Sequence, residues 1–210
     1  MLGLLVATDD AWAPVAAADL GALLADHAHC EMKAASNAMS LVARYGGMHD
    51  VVTTELIMRL TDLAHEEIDH FRRVMIEIAR RGERLGVPPV DDYAALLRAR
   101  AAALPWVTGR PRDRAVSLVE RLIVCALIEA RSAERFKLLT TALEASGEMH
   151  AFYAELFASE ARHYRVFLEL ATQVCGDEAM VRARFAALAE VEAGVVTELS
   201  ARGPRAAIHG

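Results

Sequence analysis

Residues 152–171 read FYAELFASEARHYRVFLELA. The apolar positions recur every three or four residues, as they do along one face of a helix, yet Glu160 and His163, three apart, interrupt that pattern. The same spacing occurs in HEEIDHF, residues 65–71, where Glu67 precedes His70. With 18 glutamates and 8 histidines in 210 positions, chance alone supplies about 0.7 such pairs, so the spacing by itself decides little. The setting of the two pairs has to decide.

Working outward, helical periodicity over about 148–174 is preceded by a turn at Ser146-Gly147 and by a second helical run over about 113–145. The earlier pair stands in the same arrangement. Helical patterns over about 19–45 and 50–81 flank a Gly46-Gly47 break, and Glu67 and His70 lie on the second of them. Between the two hairpins run about thirty residues, with breaks at Gly82, at GVPPVDD and at PWVTGRPRD around a short amphipathic piece, DYAALLRARAAAL. A fifth helix is expected over about 177–200, and RGPRAAIHG reads as a loose tail. Two helical hairpins joined by one long crossover is the connectivity of ferritin-like bundles. The expectation is therefore an all-α, ferritin-like four-helix bundle forming a single domain, with the crossover between helices 2 and 3 and one additional C-terminal helix.

In that plan each Glu-x-x-His sits on the second helix of its hairpin, and each first helix should add an inward carboxylate. Glu31 lies on the stripe Leu24, His27, Glu31, Ala34, Ala38, Leu41, and Glu129 on the stripe Leu122, Cys125 or Ala126, Glu129, Ala133, Phe136. A carboxylate buried there without a partner is penalised by several kcal/mol. Glu31 and Glu67 are 36 residues apart and Glu129 and Glu160 are 31 apart, each the length needed to climb one helix, turn and return to the same level. Glu31, Glu67, His70, Glu129, Glu160 and His163 then converge. Four carboxylates repel one another, and two divalent cations cancel their charge. Oxygen and imidazole donors favour iron or manganese over zinc, whose structural sites prefer thiolate. His27, Asp69, Arg131 and Glu134 are candidates to hydrogen-bond the ligands, since a metal-bound histidine usually donates its other N–H.

Composition sets the surroundings. The chain is 54% hydrophobic and 25% charged, suited to one soluble domain with a large core. Cys30, Cys125 and Cys175 are odd in number and widely spaced, which excludes a disulfide framework or a thiolate zinc site and reads as reduced thiols. The opening MLGLLVATDD has no basic region and too short an apolar run to predict export or membrane insertion, so a cytoplasmic protein is expected. Net charge is −6, but Arg72 to Arg114 carries ten arginines against five acids, a candidate footprint for a polyanion.

The stretches DHAHCEMKAASNAMSLVARYG, LAHEEIDHFRRV, RLIVCALIEARSAERF and FYAELFASEARHYRVFLELA, taken together and in order, resemble the bacterial tRNA 2-methylthio-N6-isopentenyladenosine hydroxylases. The resemblance covers most of residues 26–171, and IEARSAERF with SEARHY is far more specific than a bare Glu-x-x-His. AHEEIDHF is similar to a family motif often richer in basic residues, which leaves the ligands intact. The resemblance implies a non-haem di-iron monooxygenase that uses O2 and two electrons from an external donor, a reductase or ferredoxin, to hydroxylate the isopentenyl side chain next to the anticodon. The family's ligands fall on the six residues already named. A tRNA substrate makes Arg44, Arg110, Arg112 and Arg114 the expected phosphate contacts. A monomer or small oligomer is expected. The alternatives on the same scaffold are an iron-storage or peroxide-scavenging oxidase and a di-iron hydroxylase of another prenylated or aliphatic molecule. A non-catalytic RNA-binding bundle leaves six inward polar residues without a reason.

Overall fold

The computed structural model describes residues 2–88, 92–106, 113–205 and 208. Among them are seven helices and no strand: α1 Trp12–Ala18, α2 Leu20–Tyr45, α3 Thr54–Arg80, α4 Asp92–Ala103, α5 Arg114–Ala142, α6 Glu148–Cys175 and α7 Glu178–Ser200. They fall into two compact units, one from the described residues of Val15–Val90 and Arg205–Ile208, the other from those of Met1–Pro14 and Asp91–Pro204.

The first unit is the α2–α3 hairpin. Asp19 caps α2 by accepting from the Ala22 N–H at 3.0 Å, and Thr53 caps α3 by accepting from the Leu56 N–H at 3.1 Å. Each such cap contributes about 1 kcal/mol. Between them, Gly46 donates its N–H to the Val42 carbonyl at 2.8 Å, and a Cβ at Gly46 would stand 2.7 Å from that oxygen. The connection needs a glycine because the last turn closes so tightly. α3 begins at Thr54, later than the expected residue 50, because Met48 to Val52 form a turn on the Tyr45 and Met48 carbonyls. Its buried stripe, Leu56, Leu60, Leu63, Glu67, His70, Val74 and Ile78, follows the helical period and packs on α2. Each leucine-sized member contributes about 1.5–3 kcal/mol. The tail is not wholly loose: Ile208 is buried and donates its N–H to Asp26 Oδ2 at 2.6 Å.

In the second unit α5 packs along α6, with α4 and α7 laid against them. Eighteen of the 29 residues of α5 are buried, the mark of a helix covered on most sides. α6 ends at Gly176, whose φ of 71° gives the left-handed cap that a glycine adopts without strain. Two arginines with no exposed surface, Arg131 and Arg184, hold the unit together. Arg131 donates to Glu192 of α7 at 2.9 and 3.1 Å, to Thr8 Oγ1 at 3.2 Å and to the Val6 carbonyl at 2.9 Å, and it pairs with Glu134. Tyr93 of α4 donates to the same Glu192 at 3.0 Å. Arg184 of α7 pairs with Glu120 and donates to the Pro105, Leu104 and Ala101 carbonyls at 2.7, 3.0 and 3.3 Å. These bonds fix the end of the crossover to α5 through α7. They also reach the Ala101 carbonyl in the last turn of α4 and the Leu104 and Pro105 carbonyls just beyond it. α1 was not anticipated from the sequence.

Candidate metal centre

The six positions singled out by spacing are all buried, between 0 and 6% exposed. In the α2–α3 unit, Glu31, Glu67 and His70 offer ligand atoms that all lie within 4.8 Å of one another. His70 Nδ1 stands 3.5 Å from Glu31 Oε2 and 3.6 Å from Glu67 Oε2. His27, one turn before Glu31 on the same face, sets its Nε2 2.6 Å from Glu31 Oε1. A carboxylate only accepts, so the imidazole donates.

This half gathers two buried carboxylates around one imidazole. Burial pushes the Glu31 carboxyl up, but hydrogen bonding with Glu67, His27 and His70 outweighs it and holds the group well below the usual carboxylate range. Burial likewise pushes His70 down, and the neighbouring carboxylates of Glu31 and Glu67 prevail, raising it to about 10. A proton on His70 thus sets one positive charge beside the two carboxylates.

In the α5–α6 unit, Glu129, Glu160 and His163 also offer ligand atoms within 4.8 Å of one another. His163 Nδ1 lies 3.9 Å from Glu160 Oε1, while its Nε2 faces Ser159 Oγ at 3.5 Å, and Arg162 donates to that oxygen at 3.1 Å. Ser159 carries no motif of its own; its place one turn before His163 is the signal that would have found it. Phe136 and Tyr153, two turns from Glu129 and Glu160, meet at a 45° tilt with ring centroids 5.4 Å apart and continue the buried face as an apolar wall. Each half therefore presents two carboxylates and one imidazole with no thiolate ligand, a donor set that fits iron or manganese.

Residues 3–207 match the family described as tRNA-(MS2IO6A)-hydroxylase (MiaE). The chain belongs to the MiaE family. It is 42% identical over 172 residues to the tRNA 2-(methylsulfanyl)-N(6)-isopentenyladenosine(37) hydroxylase of Pseudomonas putida KT2440, covering 82% of this chain and 76% of that protein. The protein of the same name from Salmonella typhimurium LT2 is 30% identical over 220 residues, covering 85% and 77%. Among solved structures, "Protein 43 with aldehyde deformylating oxygenase activity from Synechococcus" superposes with a TM-score of 0.77 at 32% identity, over 91% of this chain and 88% of that one. The fold is all-α and ferritin-like, as its connectivity leads one to expect.

The remaining candidate residues of this MiaE-family chain are placed as follows. His27 meets a ligand position, as described. Asp69 is half exposed and pairs with Arg72 at 3.3 Å and His65 at 3.9 Å. It lines, with Glu66, His70, Arg72, Arg73 and Ile76, a cavity of about 420 Å³ on the α2–α3 unit. Arg131 and Glu134 bond the N-terminal segment and, through Arg131, α7 instead of the ligands, because they lie about 200° and 140° around α5 from Glu129. Arg44 is exposed at the end of α2, 5.8 Å over the Tyr45 ring, and Arg114 is exposed at the start of α5. Arg110 and Arg112 lie outside the described residues. Among the described residues no helix is long and apolar enough to cross a membrane.

Proposed function

We propose that the chain is an O2-dependent non-haem di-iron monooxygenase that hydroxylates the isopentenyl group of 2-methylthio-isopentenyladenosine in tRNA, beside the anticodon. The observation that carries this reading is the pair of buried half-sites, each with two carboxylates and one imidazole, in a member of a tRNA hydroxylase family. On this reading the two units make one ferritin-like domain, and Glu31, Glu67, His70, Glu129, Glu160 and His163 together hold two iron ions.

Charge supports the assignment. Two carboxylates about 4 Å apart repel by about 4 kcal/mol at an effective dielectric of about 20, and four of them on buried faces call for about four positive charges. Two ferrous ions supply these. Bound iron provides the reductive activation of dioxygen, which protein side chains alone do not offer. The balance is one O2, two electrons and two protons, giving one oxygen atom in the new C–O–H of the prenyl group and one water.

The chain's own residues have the other tasks. Leu122, Ala126, Ala133 and Phe136 of α5 and Tyr153, Leu156 and Phe167 of α6 are buried, and they keep bulk water from the oxidising centre. The prenyl group is to be held against apolar walls while the nucleotide backbone stays outside. Arg44 and Arg114, with Arg110 and Arg112, are assigned to phosphate contacts. Electrons come from an external reductase or ferredoxin. The activity named for the Synechococcus structure favours one other reading, the same centre acting on an aldehyde.

Mass spectrometry of tRNA nucleosides from cells with and without the gene separates these readings. Loss of the hydroxylated nucleoside on deletion, restored by the wild-type chain, supports the tRNA reading. An unchanged nucleoside profile removes it.

A further inference from the structure

The two ring nitrogens of His163 have different surroundings. Nδ1 lies on the carboxylate side, 3.9 Å from Glu160 Oε1, and Nε2 lies 3.5 Å from Ser159 Oγ. Ser159 stands one turn earlier on the same face of α6, and both residues are buried. Arg162, itself exposed, donates to the same Oγ at 3.1 Å. A guanidinium only donates, so it takes one of the two lone pairs of the hydroxyl and leaves the other to accept from Nε2–H.

What this contact does follows from the shape of an imidazole. The outer torsion of histidine has broad, roughly two-fold wells, and half a turn exchanges Nδ1 with Cδ2 and Nε2 with Cε1. Both orientations fill nearly the same space, so packing alone selects weakly between them. The hydroxyl does select. With Nε2 against Ser159, Nδ1 faces Glu160; with the ring turned over, carbon stands in both places and neither a metal nor Ser159 is met. The separation of 3.5 Å is long for a hydrogen bond. Coordination at Nδ1 makes Nε2–H a stronger donor and draws it toward the oxygen.

We propose that Ser159, anchored by Arg162, is a positioning residue for His163: by accepting from Nε2–H it holds the ring in the orientation that makes Nδ1 the metal-binding atom. This rests on the dimetal reading above, and it goes beyond that reading by naming the ligand atom and the two side chains that aim it.

The test uses the full chain loaded with Co2+ under argon. The N–H protons of cobalt-bound histidines are strongly shifted in the proton NMR spectrum and vanish in D2O, and the one missing from H163Q belongs to His163. In the wild type that proton, closed in against Ser159, exchanges slowly with water. S159A removes one oxygen from a helix that alanine suits. It speeds the exchange of the His163 proton by about tenfold or more and weakens the binding of one of the two ions by about 10–100-fold in calorimetric titration, while the His70 proton stays as it was. S159T, which keeps the hydroxyl, returns both quantities to within about threefold of wild type. A purely structural role for Ser159 would lower the melting point of S159A and leave the His163 proton unmoved; that result overturns the proposal, as does an S159T protein that behaves like S159A. Should S159T fail to fold, R162M takes its place, since it keeps Ser159 and removes only the donor that anchors it: faster exchange of the His163 proton supports the proposal, and unchanged exchange overturns it. A wild-type protein that binds fewer than two ions overturns the dimetal reading and the proposal with it, a result distinct from two bound ions insensitive to Ser159.

Discussion

Replacing Glu129 by glutamine sets stability and metal binding against each other, and the sign of each change follows from the geometry. Glu129 and Glu160 offer oxygens within 4.8 Å of one another on buried faces of α5 and α6. Two unit charges at that distance repel by about 3.5 kcal/mol at an effective dielectric of about 20. E129Q removes one charge with almost no change of shape. After local relaxation about 1–3 kcal/mol of stabilisation should remain in the metal-free protein. For a chain of this size each kcal/mol moves the midpoint by about 2–4 °C, so metal-free E129Q should melt about 2–12 °C above metal-free wild type. Metal reverses the order. Wild type at an ion concentration of about 100 times Kd gains about 2.7 kcal/mol, whereas E129Q, with a poorer donor, loses most of that gain. The parallel change E31Q lacks the benefit, because Glu31 accepts from His27 and faces His70, and its metal-free protein should melt below wild type. Calorimetric melts with and without Fe2+ under argon make the comparison. A metal-free E129Q that melts at or below wild type, together with an unchanged metal-induced shift, refutes the reasoning.

Three further outcomes are expected. R184L leaves Glu120 as a buried charge without its arginine and should lower stability by about 3–5 kcal/mol; the double change R184L/E120L should recover at least half of that in urea melts. Reversing Arg110, Arg112 and Arg114 to glutamate should raise KM for modified tRNA with little change in kcat and flatten the salt dependence of binding by about 0.7–0.9 for each phosphate no longer neutralised; an unchanged salt slope removes these arginines from the interface. In the metal-free protein His70 is raised from 6.5 to about 10 by Glu31 and Glu67. The stability this lends is fully present below pH 6.5 and is lost as pH climbs through about 10, so metal-free melting points should fall across that window, and fall less in H70Q.

The long helices were readable because each carries a 3.6-residue apolar period bounded by Gly, Asp or Thr, all local signals. The pairs Glu67/His70 and Glu160/His163 and the carboxylates Glu31 and Glu129 were readable for the same reason, since residues three apart, or a lone glutamate on an apolar stripe, show their face without tertiary knowledge. Within each unit those residues do fall together. Arg131 and Arg184 were not readable in this way. An arginine on a helix reads locally as surface, and what buries these two is pairing with Glu192 and Glu120, 61 and 64 residues away. The partners of Arg131 and Glu134 are equally distant in sequence, although the helical angle of both from Glu129 points away from the ligands. The anchoring of Ile208 is not legible either, because its hold is a backbone N–H on Asp26, and backbone donors leave no mark in composition. The late start of α3 at Thr54 turned on a capping hydroxyl, a choice between neighbouring polar residues that periodicity does not make.

The central claim is that six side chains from α2, α3, α5 and α6 hold two iron ions. Anomalous diffraction at the iron edge, from crystals of protein reconstituted with Fe2+ under argon, tests it most directly. The account requires two peaks per chain, one against Glu31, Glu67 and His70 and one against Glu129, Glu160 and His163. No peak among those residues, or iron bound only on the surface, contradicts it.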